Sequence, residues 1–254
     1  MRQGDASWCR TFSPAIDVLP WAGEGINIDI KAIIFDFDGT LVDYHGADRN
    51  ALVKVWEQLK CGPEFEDLYQ QSGKEVMKFH TLVEQGKAEP EEEHGYRLRA
   101  TFKHFSLPWR EELLALYTHF FHTDCPIFPG ARELLANLSQ RLPLALLTNA
   151  YHGAEQRKRI QISGLAEFFN VIVISGEIGC YKPVGEAFWA VAQGLGKEPN
   201  ECLMVGNSEK HDILGAKAAG MKAAKILHRP LRSGEMSSGD LICRDLSDLA
   251  RMLC

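Results

Sequence analysis

Apolar residues along the chain follow two rhythms. Between Val42 and Cys125 they recur at helical spacing with almost no β-branched runs, which predicts helices over Ala47 to Leu59, Glu66 to Glu84, Pro90 to Phe105 and Arg110 to Phe121. From Pro129-Gly130 onward, helical stretches alternate with short apolar runs, the pattern of βαβ units. Strands are expected at Leu144 to Leu147, Val171 to Ile174, Leu203 to Val205, Ala223 to Leu227 and Leu241 to Cys243. Helices are expected at Ala131 to Gln140 and Glu155 to Ser163, in a segment carrying Ala187, Phe188 and Val191 that Pro183 would open, in one running to Ala219, and in a last one bearing Leu246, Leu249 and Leu253. One further strand precedes the helical block, the unbroken run Ala32-Ile-Ile-Phe35, which reads as a parallel strand buried on both faces.

The fold class that follows is α/β, a doubly wound parallel sheet with an inserted all-helical domain. The core would comprise residues 29–42 and 126–254 and the helical cap residues 43–125. Residues 1–28, with Pro14, Pro20, Gly23 and Gly25 and no sustained period, read as an irregular surface extension whose Trp8 and Trp21 could still dock on the body. The cap's two connections, Val42 to Gly46 and Cys125 to Gly130, both return to one rim of the sheet and can act as hinges.

Composition narrows the function. A 45% hydrophobic content over 254 residues suits a globular protein, and a net charge of −6 argues against a broad nucleic-acid footprint. Seven scattered cysteines with no Cys-x-x-Cys pair fit neither a disulfide framework nor a zinc site and read as reduced thiols of a cytoplasmic protein. No apolar run is long enough to cross a membrane, so neither membrane nor nucleic-acid polymer is expected as a partner, and a monomer or homodimer is.

The chemistry is concentrated where strands end. Asp36 and Asp38 close the first strand and run straight into Gly39-Thr40. Two carboxylates leaving a buried strand need compensation, and magnesium is the usual one where carboxylates meet phosphate. Thr148-Asn149, Lys182-Pro183, and Gly206-Asn207-Ser208 through Asp212 end or follow other strands, and in a right-handed doubly wound sheet all of these share one rim. Each signal alone is weak after the first; their order and spacing are what carry weight. The acidic run Glu91-Glu92-Glu93 reads as a solvated helix start at the positive end of the helix dipole. The aromatic string Tyr117, Phe120, Phe121 and Phe128 reads as packing.

The four ordered motifs, from Asp36 to Gly220, resemble the haloacid dehalogenase superfamily, specifically its phosphatases with a helical cap after the first strand. The stretches Thr148-Asn-Ala-x-x-x-x-Glu-Gln-x-x-Arg159 and Ile174-Ser-Gly-Glu-Ile-Gly-x-Tyr-Lys-Pro183 look most like the branch with pyrimidine 5′-nucleotidases and N-acylneuraminate-9-phosphatases. The resemblance implies a magnesium-dependent phosphomonoesterase acting on a small phosphorylated metabolite, with nucleoside monophosphates and sugar phosphates as candidates. Asp36 would be the nucleophile that forms an aspartyl-phosphate, and Asp38 the group that protonates the leaving oxygen and later activates water. Thr148, Asn149 and Lys182 would stabilise the phosphoryl oxygens, and Asp36, Asp38, Asn207 and Asp212 would hold magnesium. Gly39, Thr40, Tyr44, His45 and Tyr151 would contact substrate, with His152 beside them.

Asn207 departs from the pattern, which places an aspartate there as a direct ligand. A neutral amide oxygen still binds a hard cation but adds no charge, so metal affinity should fall. Two other functions stay open. A dehalogenase of the same fold uses the nucleophile without metal, but such enzymes lack an acid at the position of Asp38; a non-catalytic binding protein of this fold has only Asn207 in its favour.

Overall fold

The computed structural model describes residues 30–59, 61–230, 232 and 236–253; the extension expected at residues 1–28 lies outside them. In chain order the elements are β1 (Ala32–Phe35), α1 (Tyr44–Trp56), α2 (Phe65–Glu84), α3 (Glu93–His104), α4 (Glu111–Thr123), α5 (Ala131–Ser139), β2 (Leu144–Thr148), α6 (Gly153–Ile162), β3 (Val171–Ile174), α7 (Ser175–Ile178), α8 (Gly185–Gly194), β4 (Cys202–Gly206), α9 (Gly215–Ala218), β5 (Lys222–Ile226), β6 (Leu241–Cys243) and α10 (Leu246–Leu253). The six strands form one sheet in the order β3-β2-β1-β4-β5-β6, and every neighbouring pair is parallel.

β1 lies at the centre because both of its faces are apolar. Ile33 and Phe35 point into the layer built with α5, α6 and α10, while Ala32 and Ile34 point into the layer built with α8 and α9. All four are fully buried, so only the strand's tip is free to carry polar chemistry. The topological switch lies at β1, between β2 and β4, where a doubly wound sheet opens its ligand crevice.

The cap is a separate helical core. Ala47, Leu52, Val55, Leu68, Leu98, Phe102, Leu113 and Tyr117 pack together there. At its centre Asp48 on α1 accepts from Arg97 on α3 and, at 2.6 Å, from the Tyr117 hydroxyl on α4. Asp43 begins α1 by accepting from Gly46 N at 2.9 Å, which satisfies an otherwise unpaired helix donor. The cap's two connections lie side by side: Asp43 N donates to Pro126 O at 2.8 Å and Phe128 N to Leu41 O at 2.9 Å.

Some local expectations change. Pro183 precedes the helix rather than opening it, because α8 starts at Gly185. Pro90 opens a single 3-10 turn, Pro90–Glu92, before α3. The stretch between β3 and Lys182 begins with the helical turn α7, and Asp212 lies on a π-helical stretch, Glu209–Leu214, that runs into α9. Such wide turns recur at functional sites, since they shift a side chain out of ordinary helical register.

Candidate active site

Asp36 follows the last residue of β1, and its carboxylate is almost fully buried. Lys182 Nζ donates to Asp36 Oδ1 at 2.7 Å and the Thr40 hydroxyl to Oδ2 at 2.8 Å. The same ammonium donates to Asp212 Oδ1 at 2.7 Å and to Leu147 O at 2.8 Å, so one buried lysine joins the ends of β1 and β2 to the π-helical turn after β4. Burial pushes Asp36 up to about 7, with Lys182 pulling it down and Asp212 pushing it up. Burial also works against the charge of Lys182, but Asp212 and Asp36 hold its pKa above the ordinary lysine range. The lysine is therefore a fixed cation beside a carboxylate that titrates near neutrality.

Glycines make room for this arrangement. A Cβ on Gly206 would lie 2.4 Å from the Asp212 carboxyl carbon, so that carboxylate can fold back against the end of β4 only over glycine. Gly39, at φ +80°, would likewise place a Cβ 2.4 Å from Asn207 Nδ2. The Asn207 amide thus lies over the turn that follows Asp38.

Several expected residues have other tasks. Asn149 clamps the Lys182 backbone, donating to its carbonyl and accepting from its N–H, both at 2.9 Å, so one of its two amide N–H groups and its oxygen serve to place the lysine. Thr40 holds the Asp36 carboxylate instead of facing a ligand. His45 is exposed on α1, touches the Tyr44 ring, and is absent from the cavity beside Asp38. Tyr44 and Tyr151 do line that cavity, and His152 with them. Thr148 is buried at the tip of β2, where its hydroxyl accepts from Gln156 at 3.0 Å and keeps its proton free to donate.

Two residues that received no role from the sequence hold Asp38. Gln156 Nε2 donates to Asp38 Oδ2 at 2.7 Å, and Arg159 reaches Oδ2 with Nη1 at 3.0 Å and Oδ1 with Nη2 at 2.8 Å. Both lie on α6 three residues apart, hence on one face, and both are buried. The only sequence signal was two long polar side chains on the face of a helix that must pack on the sheet. The Arg159 guanidinium also lies 4.8 Å from the Phe121 ring centre and 5.9 Å from that of Tyr44, so it meets the cap as well as the core.

Magnesium can be tested against these donors. Both oxygens of the Asp38 carboxylate face Arg159 or Gln156, and those of Asp212 face Lys182 and Ser208 N, which donates at 2.8 Å. Among the described residues no group of three or more His, Cys, Asp or Glu side chains could hold a metal. Asp36 is held in the same way, by Lys182 and Thr40, but each carboxylate oxygen keeps a second lone pair, so Asp36 at the strand tip and the Asn207 amide can serve as donors. Magnesium commonly binds through one or two carboxylates and substrate phosphate while keeping several waters, so this sparse set fits it, with less charge than four side-chain ligands would provide.

A family model described as haloacid dehalogenase-like hydrolase matches residues 30–220. The chain is 37% identical over 126 residues to phosphoserine phosphatase of Thermus thermophilus, a match covering 49% of this chain and 50% of that protein. It is 30% identical over 193 residues to HAD-hydrolase YfnB of Bacillus subtilis (75% and 81%) and 26% identical over 220 residues to N-acylneuraminate-9-phosphatase of Rattus norvegicus (82% and 88%). Among solved structures, magnesium-bound YfnB superposes with a TM-score of 0.75 at 26% identity, and L-2-haloacid dehalogenase PA0810 with 0.71 at 26%, each covering 88% of this chain and 98% of the other. With its parallel sheet, its inserted cap and Asp36 at the switch point, the chain belongs to the haloacid dehalogenase-like hydrolases.

Proposed function

We propose that this hydrolase is a magnesium-dependent phosphomonoesterase that cleaves small phosphorylated metabolites through an aspartyl-phosphate. The observation that carries the reading is the buried triad Asp36–Lys182–Asp212, a carboxylate aimed by a fixed ammonium at the tip of the central strand. Phosphatases among the relatives support it. Asp38 stands against the dehalogenase alternative, because a halide leaving group needs no proton while an alkoxide does.

In this mechanism Asp36 attacks phosphorus and the ester oxygen departs with a proton from Asp38. Asp38 then takes a proton from the water that hydrolyses the aspartyl-phosphate. Lys182 and the Thr148 hydroxyl stabilise negative charge on the phosphoryl oxygens, and Asn149 fixes where Lys182 can reach. Asp36 and Asn207 would hold magnesium, whose charge would favour the ionised nucleophile and offset its repulsion from phosphate. The five cysteines among the described residues are unpaired, which supports a reducing, cytoplasmic setting.

The test is phosphate release from p-nitrophenyl phosphate with magnesium and with EDTA. Turnover with magnesium and its loss in Asp36→Asn are expected; turnover by Asp36→Asn at near the wild-type rate overturns the nucleophile assignment.

A further inference from the structure

His228, two residues beyond the end of β5, takes no part in the chemistry described so far and lies outside the stretch 30–220 that the family model matches. Its backbone has φ +50°. Residues other than glycine rarely hold that left-handed conformation, and asparagine, aspartate and histidine are the ones enriched there. The half-buried imidazole reaches both connections of the cap, one by a hydrogen bond and the other by a ring stack.

The hydrogen bond joins His228 Nε2 to Thr40 O at 2.8 Å. A carbonyl only accepts, so Nε2 carries the proton. Burial pulls the ring's pKa below the usual histidine range, although the Thr40 carbonyl, Asp245 and Asp43 favour the cation, so near pH 7 the donor is a neutral imidazole. Thr40 is fully buried, and a buried carbonyl left without a donor is costly. Within the turn itself, Thr40 N, Leu41 N and Val42 N donate to Phe37 O at 3.3, 2.9 and 3.1 Å, and Gly39 N to Val42 O at 2.8 Å. Those bonds close the turn on itself, whereas the one from His228 ties it to the end of β5.

The stack is with Phe128. The two ring centres are 3.4 Å apart and the planes 13° from parallel. Phe128 lies on the cap's return connection, and its N–H donates to Leu41 O at 2.9 Å, beside Thr40. One imidazole therefore braces both connections where they meet. Thr40 in turn donates its hydroxyl to Asp36 Oδ2 at 2.8 Å, while Lys182 holds Oδ1. Half of the support of the Asp36 carboxylate thus comes from a residue whose own backbone is held by His228, and small displacements of a reacting group are expensive in rate.

We infer that His228 is a positioning residue: its N–H fixes the turn from which Thr40 aims the Asp36 carboxylate, and its ring locks that turn to the cap's return connection. The inference rests on the phosphatase reading and adds to it a residue outside the four motifs.

The full chain with magnesium and p-nitrophenyl phosphate tests it. His228→Phe keeps a ring to stack but has no N–H; His228→Gln keeps an N–H at similar reach but has no ring. Neither phenylalanine nor glutamine is favoured at φ +50°, so their difference isolates the hydrogen bond. We expect kcat to fall by about tenfold in His228→Phe with KM changed by less than about twofold, and His228→Gln to recover most of the loss. A ring that serves packing alone predicts the opposite order, so a kcat for His228→Phe at or above that of His228→Gln overturns the inference. In a Thr40→Val background the effect of His228→Phe should nearly vanish, because the link to Asp36 is already cut; full additivity overturns the inference as well. If the wild type turns over no phosphate ester, the phosphatase reading fails, and hydrogen exchange at the Gly39 to Val42 amides still judges His228. Exchange should be faster in His228→Phe than in His228→Gln, and equal rates overturn the inference.

Discussion

Lys182→Met isolates the ion that holds the site together. The wild-type ammonium is 3% exposed and makes three hydrogen bonds, two of them to carboxylates that are themselves buried. Removing one partner of a buried ion pair costs about 3–5 kcal/mol, because the remaining charge is left uncompensated. Here pH sets the size of the loss. Asp36 is raised from 3.8 to about 7, and a raised carboxyl pKa gives stability that is fully present below about pH 4 and is lost as pH rises toward 7. Above 7 the wild-type loss levels off. In Lys182→Met the Asp36 pKa rises further, since Lys182 is what pulls it down, so the variant keeps losing stability beyond that point at about 1.4 kcal/mol per pH unit. Urea unfolding in EDTA at pH 6 and pH 8 should show a deficit of about 3 kcal/mol at the lower pH, growing by roughly 1 kcal/mol at the higher. A variant as stable as wild type, or a deficit that shrinks between pH 6 and pH 8, would refute the buried triad as described.

Two further changes test the metal donors and the cap. Asn207→Asp adds a second anionic donor and should tighten magnesium binding, measured by calorimetry, by about tenfold or more; equal affinities would show that Asn207 does not contact the ion. Tyr117→Phe removes the hydroxyl that Asp48 accepts at 2.6 Å and should lower cap stability by about 1.5–3 kcal/mol, the range for hydrogen bonds to charged groups. Hydrogen exchange in α1, α3 and α4 reads this directly, and unchanged protection there would mean that Arg97 alone satisfies Asp48.

The core was legible because its signals are local. A strand buried on both faces must be apolar at every position, so Ala32-Ile-Ile-Phe35 announced itself, and so did the abrupt acid at Asp36. βαβ handedness then brought Thr148, Lys182 and Asp212 to the same rim without any knowledge of their contacts. What those side chains do there was not legible. Asn149 and Thr40 have the donors that a phosphate site needs, but a donor's partner depends on three-dimensional reach, and the Lys182 backbone and the Asp36 carboxylate are closer claimants. Pro183 was misplaced because a proline two residues before a helix and one in its first turn look alike in sequence.

The cavity beside Asp38 was hidden for a different reason. Its residues come from Asp38, Tyr44, Pro90 to His94, Phe121 to His122, and the stretch from Asn149 into α6, and apart from Asp38 and Asn149 no spacing rule links them. A run such as Glu91-Glu92-Glu93 obeys the helix-dipole rule whether or not it also faces a cavity, so local physics was satisfied before function left any trace. Arg159 is the exception in principle. A buried guanidinium needs a carboxylate within reach, and of the acids the motifs had already placed on the rim, Asp36 and Asp212 are both taken by Lys182. Asp38 was the partner left over, and the structure pairs it with Arg159.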